Sequence, residues 1–494
     1  MANNELYKDN QIFSKNELIE ILDNAKGKTL GEVDVKNVFD RTKYNPKITG
    51  IAGDVIEESV LGYGSDTKQA PDILVDGIDT EVKTTGLKRT STNEMEFEAK
   101  EPMSITAVSP YNIINEDFYN SHFWKKLNRM LIIYYLYDSK NTVIASEYAN
   151  FPIITYHFNE IDKDDEEILK SDWELVQNLV KEIFISYENP EDGFPLISSA
   201  IRKQLMFINT APKWPNRPRF RLKRSYVTTM YQKAKGKKFV ELPENYKSYQ
   251  EIDEKLKKVS SKYKGMRIKD IIEELNIPVK LINGDVNKRI SEMITCKMFG
   301  SDAKKMSKIE LFSEIGLKLK TITQTTTKKR TEDIKFHPID FDEISDININ
   351  FLDSTFYRDF SENSYLFIIF EEPNSKAPLI ENKFLGFKRL VLSEEFLHSD
   401  VESTWIDLRN KIINKELKEE IVFNKQGKAI INKNGTVRTK INFPKSANFN
   451  VFLRGTGSNS NDKPLEINGI KMYRQNVWIK GSLIVELLNK EDFI

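Results

Sequence analysis

The stretch PDILVDGIDTEVKTT, residues 71–85, places short apolar runs on both sides of an Asp-Gly pair. Asp-Gly is a strong signal for a tight hairpin turn, so residues 72–75 and 78–84 are predicted to form two antiparallel strands. Residues 13–25 and 166–185 carry apolar residues at helical spacing, which predicts helices before and after this hairpin. Together these elements predict an α/β or α+β fold in which helices flank a mixed sheet.

The composition limits the classes of function. The 494 residues include 74 Lys and Arg and 74 Asp and Glu, so the formal net charge is zero and a globally basic coat is excluded. The longest apolar run, residues 130–137, is far shorter than the ~20 residues that a membrane span needs, so no membrane partner is expected. Cys296 is the only cysteine, which excludes an internal disulfide framework and predicts a cytoplasmic protein.

Two common kinds of catalytic motif are missing. Residues 27–29 (GKT) resemble the end of a phosphate-binding loop, but Leu22 stands where that loop requires glycine, so ATP is not expected as a partner. The four histidines lie far apart and form no zinc-binding HExxH pair. Chemistry in this chain is therefore expected to use carboxylates, lysines and a hard cation.

The sharpest chemical motif is Asp72 followed by Glu81, Val82 and Lys83. Side chains alternate along a strand, so Glu81 and Lys83 should project from one face, and the turn can bring Asp72 beside them. Two carboxylates and the Val82 carbonyl would form an oxygen site suited to Mg²⁺, with Lys83 next to the attacking water. This arrangement suits phosphodiester hydrolysis, whereas the alternative is plain charge alternation on an exposed edge strand.

Features elsewhere in the chain favour the catalytic interpretation. Glu57, in a helical segment that follows Gly53, can be aimed at the same site. Residues 201–240 contain 12 Lys and Arg and neither Asp nor Glu, and such a stripe in a neutral protein favours contact with phosphates. The candidate DNA contacts in this tract are Lys213, Arg221, Lys223 and Arg224.

Similar stretches recur in the same order in the second half of the chain; for example, EVKTT at 81–85 is followed by KLKTI at 318–322. We therefore predict two related domains, residues 1–240 and 266–494, joined by a lysine-rich linker at 241–265. In the second copy Lys318 replaces Glu81, Lys308 or Ile309 falls at the position of Asp72, and Lys320 keeps the position of Lys83. These cations cannot hold a divalent metal, so the second copy is expected to regulate or to grip DNA.

At these residues the sequence resembles the MutH-type branch of the PD-(D/E)xK nucleases, which includes the mismatch-repair nicking enzyme and type II restriction endonucleases that cut at GATC. The resemblance covers most of the first domain. It lies in a glutamate helix with its acidic segment, a catalytic strand, a serine-histidine helix and a lysine-rich helix start: GDVIEESVLGYGSDTKQAPDI (53–73), GIDTEVKT (77–84), SHFWKKLNRMLII (121–133) and RLKRSYVTTMY (221–231).

The resemblance implies two restriction-endonuclease-like domains and assigns roles to named residues. Asp72 and Glu81 would be metal ligands, Lys83 the catalytic lysine, Glu57 a supporting acid and Lys126 a further active-site lysine. Because the gap between Asp72 and Glu81 is two residues longer than the family pattern, Asp76 stays an alternative ligand.

The second domain resembles the degenerate copy of the longer GATC enzymes, which binds a second DNA site as an effector. Asp359 stands there in place of the lysine that matches Lys126. Arg454, in an apparent loop RGTGSN, is a candidate base-reading residue, since arginine is the usual bidentate partner of guanine; contact with phosphate is the equal alternative.

The sequence therefore predicts a Mg²⁺-dependent type II restriction endonuclease acting on double-stranded DNA, with a GATC site. A chain with one live site needs a partner copy to cut both strands of a palindrome, so a transient homodimer on DNA is expected. The alternatives are a MutH-like strand-nicking repair endonuclease and a non-catalytic DNA-binding protein.

Overall fold

The computed structural model describes residues 7–64, 70–90, 95–139, 142–327, 331–374, 376–432, 435–459 and 461–494. Residues 65–69, part of the stretch that resembles the MutH-type family, lie outside the described residues. The chain forms two compact units. The first comprises Met1–Ser139, Val143–Lys255 and Phe299–Gly316, and the second comprises Lys140–Thr142, Leu256–Met298 and Leu317–Ile494.

The elements up to residue 263 alternate between short strands and helices. In chain order they are β1 (Ile12–Phe13), α1 (Lys15–Ala25), α2 (Ile51–Val55), β2 (Ile73–Val75), β3 (Ile78–Arg89), β4 (Phe97–Ala99), β5 (Met103–Ala107), α3 (Pro110–Ile113), α4 (His122–Leu127), β6 (Arg129–Leu136), β7 (Ile153–Glu160), α5 (Lys163–Ser186), β8 (Ile208–Ala211), β9 (Arg219–Leu222), α6 (Arg224–Ala234) and α7 (Tyr249–Tyr263).

The elements after residue 263 follow a similar alternation. They are α8 (Ile268–Glu274), α9 (Ile290–Met298), α10 (Glu310–Glu314), β10 (Leu317–Gln324), β11 (Ile334–Pro338), α11 (Phe341–Ser345), α12 (Thr355–Ser361), β12 (Ser364–Glu371), β13 (Lys383–Leu390), α13 (Glu394–Phe396), α14 (Glu402–Ile413), β14 (Glu419–Ile421), β15 (Thr439–Ile441), β16 (Val451–Thr456), β17 (Leu465–Ile467), β18 (Ile470–Met472), β19 (Arg474–Ile479) and α15 (Gly481–Asn489).

The main sheet of the first unit is mixed, as predicted. Its order is β1-β2-β3-β6-β7, with β4 paired to the far end of β3. The β2–β3 hairpin is antiparallel, β3 runs parallel to β6, and β6 runs antiparallel to β7. The predicted hairpin over 72–84 and the predicted helix over 166–185 are both confirmed, the latter as α5.

The central position of strand β6 in the sheet explains why its sequence is almost continuously apolar. It lies between β3 and β7, and nearly all of its side chains are buried on both faces of the sheet. Leu131 and Ile133 join Val82 in a core beneath α1 and α2. Glu81 and Lys83 alternate with Val82 and therefore project from the opposite face.

A smaller antiparallel sheet, in the order β5-β9-β8, completes the first unit. Ala107 and Ala211 both pair with Arg219, so the segment after β5 and the loop between β8 and β9 emerge at the same edge. Helix α6 follows β9 directly after Lys223.

The second unit contains the same two arrangements of strands. Strand β10 runs parallel to β12, which runs antiparallel to β13, as in β3-β6-β7. The antiparallel sheet β11-β19-β16 leads from β19 into α15, as β5-β9-β8 leads from β9 into α6. Ser121 caps α4 and Ser354 caps α12 through the same kind of hydrogen bond, to the amide of Trp124 or Tyr357 at 3.1 Å.

The unit boundary falls at an unexpected place. Residues 299–316 pack in the first unit, where Val240 donates to the Lys308 carbonyl at 2.8 Å and accepts from Glu310 at 3.0 Å. Thr229 of α6 hydrogen-bonds Ser313 at 2.8 Å. The predicted linker at 241–265 contains helix α7, whose residues up to Lys255 are assigned to the first unit and from Leu256 to the second. Among the described residues, none of the helices has the length and apolar character to cross a membrane.

Candidate active site

The β2–β3 hairpin brings Asp72 beside Glu81. Ile73 pairs with Thr80, so the next step of the register sets Asp72 level with Glu81. Asp72 Oδ2 accepts a hydrogen bond of 2.9 Å from the amide of Val82. Gln11 Nε2 donates to the Asp72 carbonyl at 3.0 Å and ties the acid to the segment before α1.

The alternative ligand Asp76 lies at the other end of this hairpin. It is exposed in the turn, with a left-handed φ of 51°. Its Oδ1 accepts a hydrogen bond from the amide of Lys15, the first residue of α1, at 3.2 Å. Asp76 therefore supports the start of a helix, and Asp72 is the acid that stands next to Glu81.

Glu81 is the centre of the cluster and is only 1% exposed. Lys83 Nζ lies 2.6 Å from its Oε1, as the shared strand face predicts. Lys126 Nζ, supplied by α4, donates to both carboxylate oxygens at 2.9 Å. A buried carboxylate requires such partners, because an uncompensated charge in the protein interior is costly.

Burial and the neighbouring charges shift the pKa values of three groups in this cluster. Burial, followed by the negative charge of Glu81, raises the pKa of Asp72 to about 6. Burial and the neighbouring Asp72 raise the pKa of Glu57 to about 8. Burial works against the charged form of Lys83, but the carboxylates of Glu81 and Asp72 outweigh it and raise the pKa of the lysine. Glu57, Asp72 and Lys83 therefore share one electrostatic environment, to which the charge of Glu81 contributes.

Glu57 reaches this environment from the π-helical turn Ile56–Val60, which follows α2. The neighbouring acids of that segment are turned to Arg41, whose guanidinium lies 3.5 Å from Asp54 and 2.7 Å from Glu58. A Cβ added to Gly53 would lie 3.4 Å from Thr84 Oγ1 and 3.9 Å from Glu57 Oε1, so α2 packs closely against β3.

The donor set fits a hard divalent cation. No group of three His, Cys, Asp or Glu side chains in the described part of the chain is arranged to hold a metal. Mg²⁺, however, usually takes one or two carboxylates and keeps several waters. Asp72 and Glu81 supply that pair; burial first, and then the negative charge of Glu81, raises the pKa of Asp72, and a cation would neutralise that charge.

The predicted DNA contacts fall into different environments. Lys213 is exposed in the loop between β8 and β9, and Arg224 begins α6. Arg221, on β9, donates to Asn209 Oδ1 at 2.8 Å. Lys223 is 5% exposed and donates to the Leu205 carbonyl inside the protein, so we remove it from the candidate DNA contacts.

Arg454 also differs from its sequence-based description. It lies in strand β16 and not in a loop. Its Nη2 pairs with Asp333 Oδ2 at 2.6 Å, and its guanidinium lies 4.7 Å from the ring centroid of Trp478. Contact with a base or phosphate would therefore compete with an existing ion pair.

The counterparts of the cluster in the second copy are cationic or displaced. Lys320 of β10 donates to the Lys335 carbonyl and lies over the Phe336 ring at 4.8 Å. Burial, together with the charges of Lys318 and Lys335, lowers its pKa to about 8. Lys308 and Ile309, matched to Asp72 in the sequence, belong to the segment that packs against Val240 in the first unit.

Sequence reasoning missed Gln11, which bonds the main chain of Asp72, and Tyr7, which bonds Asp79 on the catalytic strand. The Tyr7 hydroxyl donates to Asp79 Oδ1 at 2.9 Å, and burial raises its pKa, with further contributions from Asp79 and the acids of the site. Neither residue carries a local signal, because their partners lie more than 60 positions away along the chain.

Residues 61–172 match the family model for DNA mismatch repair enzyme MutH. No curated protein matches the chain. The matched segment contains Asp72, Glu81, Lys83 and Lys126, whereas Glu57 and everything after residue 172 lie outside it. Nucleases of this family generally use a divalent metal and have a restriction-endonuclease-like fold. The N-terminal part of the chain is thus similar to MutH, which supports a nuclease of the PD-(D/E)xK type that acts on DNA.

Proposed function

We propose that the protein is a Mg²⁺-dependent type II restriction endonuclease that cuts double-stranded DNA at a short palindrome, GATC. The convergence of Asp72, Lys83 and Lys126 on the buried Glu81 carries this proposal. The alternative interpretation of this motif is charge alternation on an exposed edge strand. It does not fit, because β3 lies between β2 and β6 and Glu81 is buried. Buried groups with perturbed pKa values are typical of functional sites.

Each residue of the cluster has a role in this reaction. Asp72, Glu81 and the Val82 carbonyl would hold Mg²⁺, which neutralises charge on a phosphate and lowers the pKa of bound water. Lys83 and Lys126 supply positive charge that can stabilise the phosphate as negative charge develops on it. Glu57, with a pKa near 8, can exchange a proton with water at neutral pH.

The second unit fits the role of a DNA-binding effector. Its sheet β10-β12-β13 repeats the arrangement of β3-β6-β7, but Lys318 stands where Glu81 would be. A chain with one hydrolytic site cuts one strand at a time, so two chains would meet on the palindrome as a transient homodimer. Lys213, Arg221 and Arg224 are the proposed phosphate or base contacts of the first unit, and Arg454 that of the second.

A strand-nicking repair endonuclease is the second candidate, and the match to a mismatch repair enzyme favours it. A restriction enzyme should convert a plasmid to discrete linear fragments, whereas a nicking enzyme should stop at open circles. The presence of a second unit with a related strand order favours the restriction enzyme.

Digestion of a plasmid of known sequence tests the proposal, with Mg²⁺ in one sample and EDTA in the other. Fragments that form only with Mg²⁺ and whose ends map to GATC are the expected result. Discrete fragment ends at other sequences would contradict the GATC specificity but support the nuclease activity. Intact plasmid with reduced electrophoretic mobility would instead indicate a non-catalytic DNA-binding protein.

A further inference from the structure

A cavity with aromatic walls opens at the edge of the small sheet in the first unit. The loop between β8 and β9 and the segment after β5 border it, together with Phe194. Its volume is about 320 Å³, within the roughly 300–1,000 Å³ typical of ligand sites. We name it the Trp214 cavity; Tyr111, Phe194 and Trp214 form its aromatic walls, and Ser109 and Arg217 add polar groups to its lining.

Two accessible aromatic rings in this cavity pack against a third ring, which is buried. The ring centroids of Trp214 and Phe194 are 5.1 Å apart, and those of Tyr111 and Phe194 are 5.8 Å apart. Phe194 is fully buried, whereas Tyr111 is 56% exposed and Trp214 is half-buried. Phe194 thus holds the other two rings at the surface, where their faces and edges can meet a flat aromatic ligand.

The loop that borders the cavity is cationic. Lys213, Arg217 and Arg219 are exposed on the same loop or at its end. Arg217 Nη2 donates to Ser109 Oγ, which fixes this guanidinium against the other wall of the cavity. An acid also borders the rings, because the Tyr111 hydroxyl donates to Glu191 Oε1 at 3.5 Å. Aromatic rings beside a positive surface match the two parts of a nucleotide, its base and its phosphate.

The cavity also lies close to the helix that supplies Lys126. Ser109 lines a second, small cavity together with His122 and Phe123, which begin α4. Lys126 is one helical turn further along α4. A ligand in the Trp214 cavity would therefore be in position to orient DNA relative to the proposed active site.

We propose that the Trp214 cavity receives a single nucleobase that has left the stack of a DNA duplex. This inference rests on the proposed function as a DNA endonuclease. Removing a base from the stack has an energetic cost, which is smallest where the base is already mismatched. Stacking on Trp214 and Tyr111 offsets that cost, and the cations of the bordering loop hold the flanking phosphates.

Binding to mismatched duplexes tests this inference. The full chain is titrated, in EDTA to prevent cleavage, against short duplexes that carry the cleavage site with each base pair mismatched in turn. At one position the mismatch should tighten binding about tenfold. In Trp214→Ala that preference should disappear, and affinity for the mismatched duplex should fall by roughly tenfold to a hundredfold.

Three further variants protect the test against misfolding. Tyr111→Ala, at a largely exposed position, should reduce the preference without threatening the fold, and Trp214→Phe should keep most of it. Tyr44→Ala is the matched control, because this 90% exposed tyrosine lies outside the cavity. Equal binding to every mismatched duplex would overturn the inference, and so would a preference that stays unchanged in Trp214→Ala and Tyr111→Ala. If the protein still cleaves DNA in Mg²⁺, the proposed function would stand in either case. Absence of any DNA binding or cleavage overturns both.

Discussion

Substitution of Lys126 by methionine separates its role from that of Lys83. In the DNA-free protein Lys126 donates to both oxygens of Glu81, and Lys83 donates to one of them. Methionine keeps most of the side-chain length, so the packing of α4 changes little while the positive charge disappears. Glu81 then retains a single cationic partner in a site that is 1% exposed.

The expected loss of stability follows from these contacts. Removing one partner of a buried ion pair costs about 3–5 kcal/mol when the other charge is left alone. Here Lys83 stays with Glu81, so the cost should approach that of hydrogen bonds to a charged group, about 2 kcal/mol. Mg²⁺ should then bind more tightly to the variant, because it no longer competes with Lys126. A tenfold tighter site would add about 1.4 kcal/mol of stability at saturating Mg²⁺.

Urea unfolding with and without Mg²⁺ measures both effects. Lys320→Met is the matched control, since Lys320 donates to a main-chain carbonyl and lies where no metal site is expected. Lys126→Met should be less stable than the wild type in EDTA and should gain more from Mg²⁺ than either the wild type or Lys320→Met. An equal gain in all three proteins would refute the idea that Lys126 occupies a metal ligand.

Further consequences concern pH, chain length and salt. Mg²⁺ binding without DNA should strengthen as the pH rises from 6 to 8, because Asp72 and Glu57 lose their protons in this range; calorimetry on Glu57→Gln should show a flatter profile above pH 7. A fragment ending at Lys255 should be less stable than the first unit of the full chain, since it lacks residues 299–316 and the Lys233–Glu310 ion pair; circular dichroism during heating would show this, and an unchanged melting temperature would contradict it. Replacing Lys213, Arg221 and Arg224 by alanine should lower the slope of log affinity against log salt by up to about three, as each lost phosphate contact removes about 0.9; an unchanged slope would exclude them as phosphate contacts.

Local patterns were sufficient to predict much of the first unit. The Asp-Gly turn and the alternation around Glu81 predicted the hairpin, the shared face of Glu81 and Lys83, and the approach of Asp72. The continuous apolar run of β6 reflects burial on both faces of a central strand. These features depend on residues that are close in sequence, so a short segment of sequence is sufficient to predict each of them.

Long-range packing was not accessible to the same reasoning. Lys223 belongs to a basic tract, but at the junction of β9 and α6 its side chain donates to the Leu205 carbonyl inside the protein. Residues 299–316 follow the first domain by about 60 positions in the sequence and still pack against α6 and Val240. Composition cannot distinguish a lysine that faces DNA from one that satisfies a buried carbonyl, because both positions accept the same side chain.

The most direct test of the central claim compares plasmid cleavage by Lys83→Met with cleavage by Lys320→Met. The two lysines hold equivalent places in β3 and β10, but only Lys83 lies beside paired carboxylates. We expect Lys83→Met to bind DNA and to lose cleavage in Mg²⁺, whereas Lys320→Met should keep cutting. Cleavage retained by Lys83→Met and lost in Lys320→Met would place the hydrolytic site in the second unit and contradict this account.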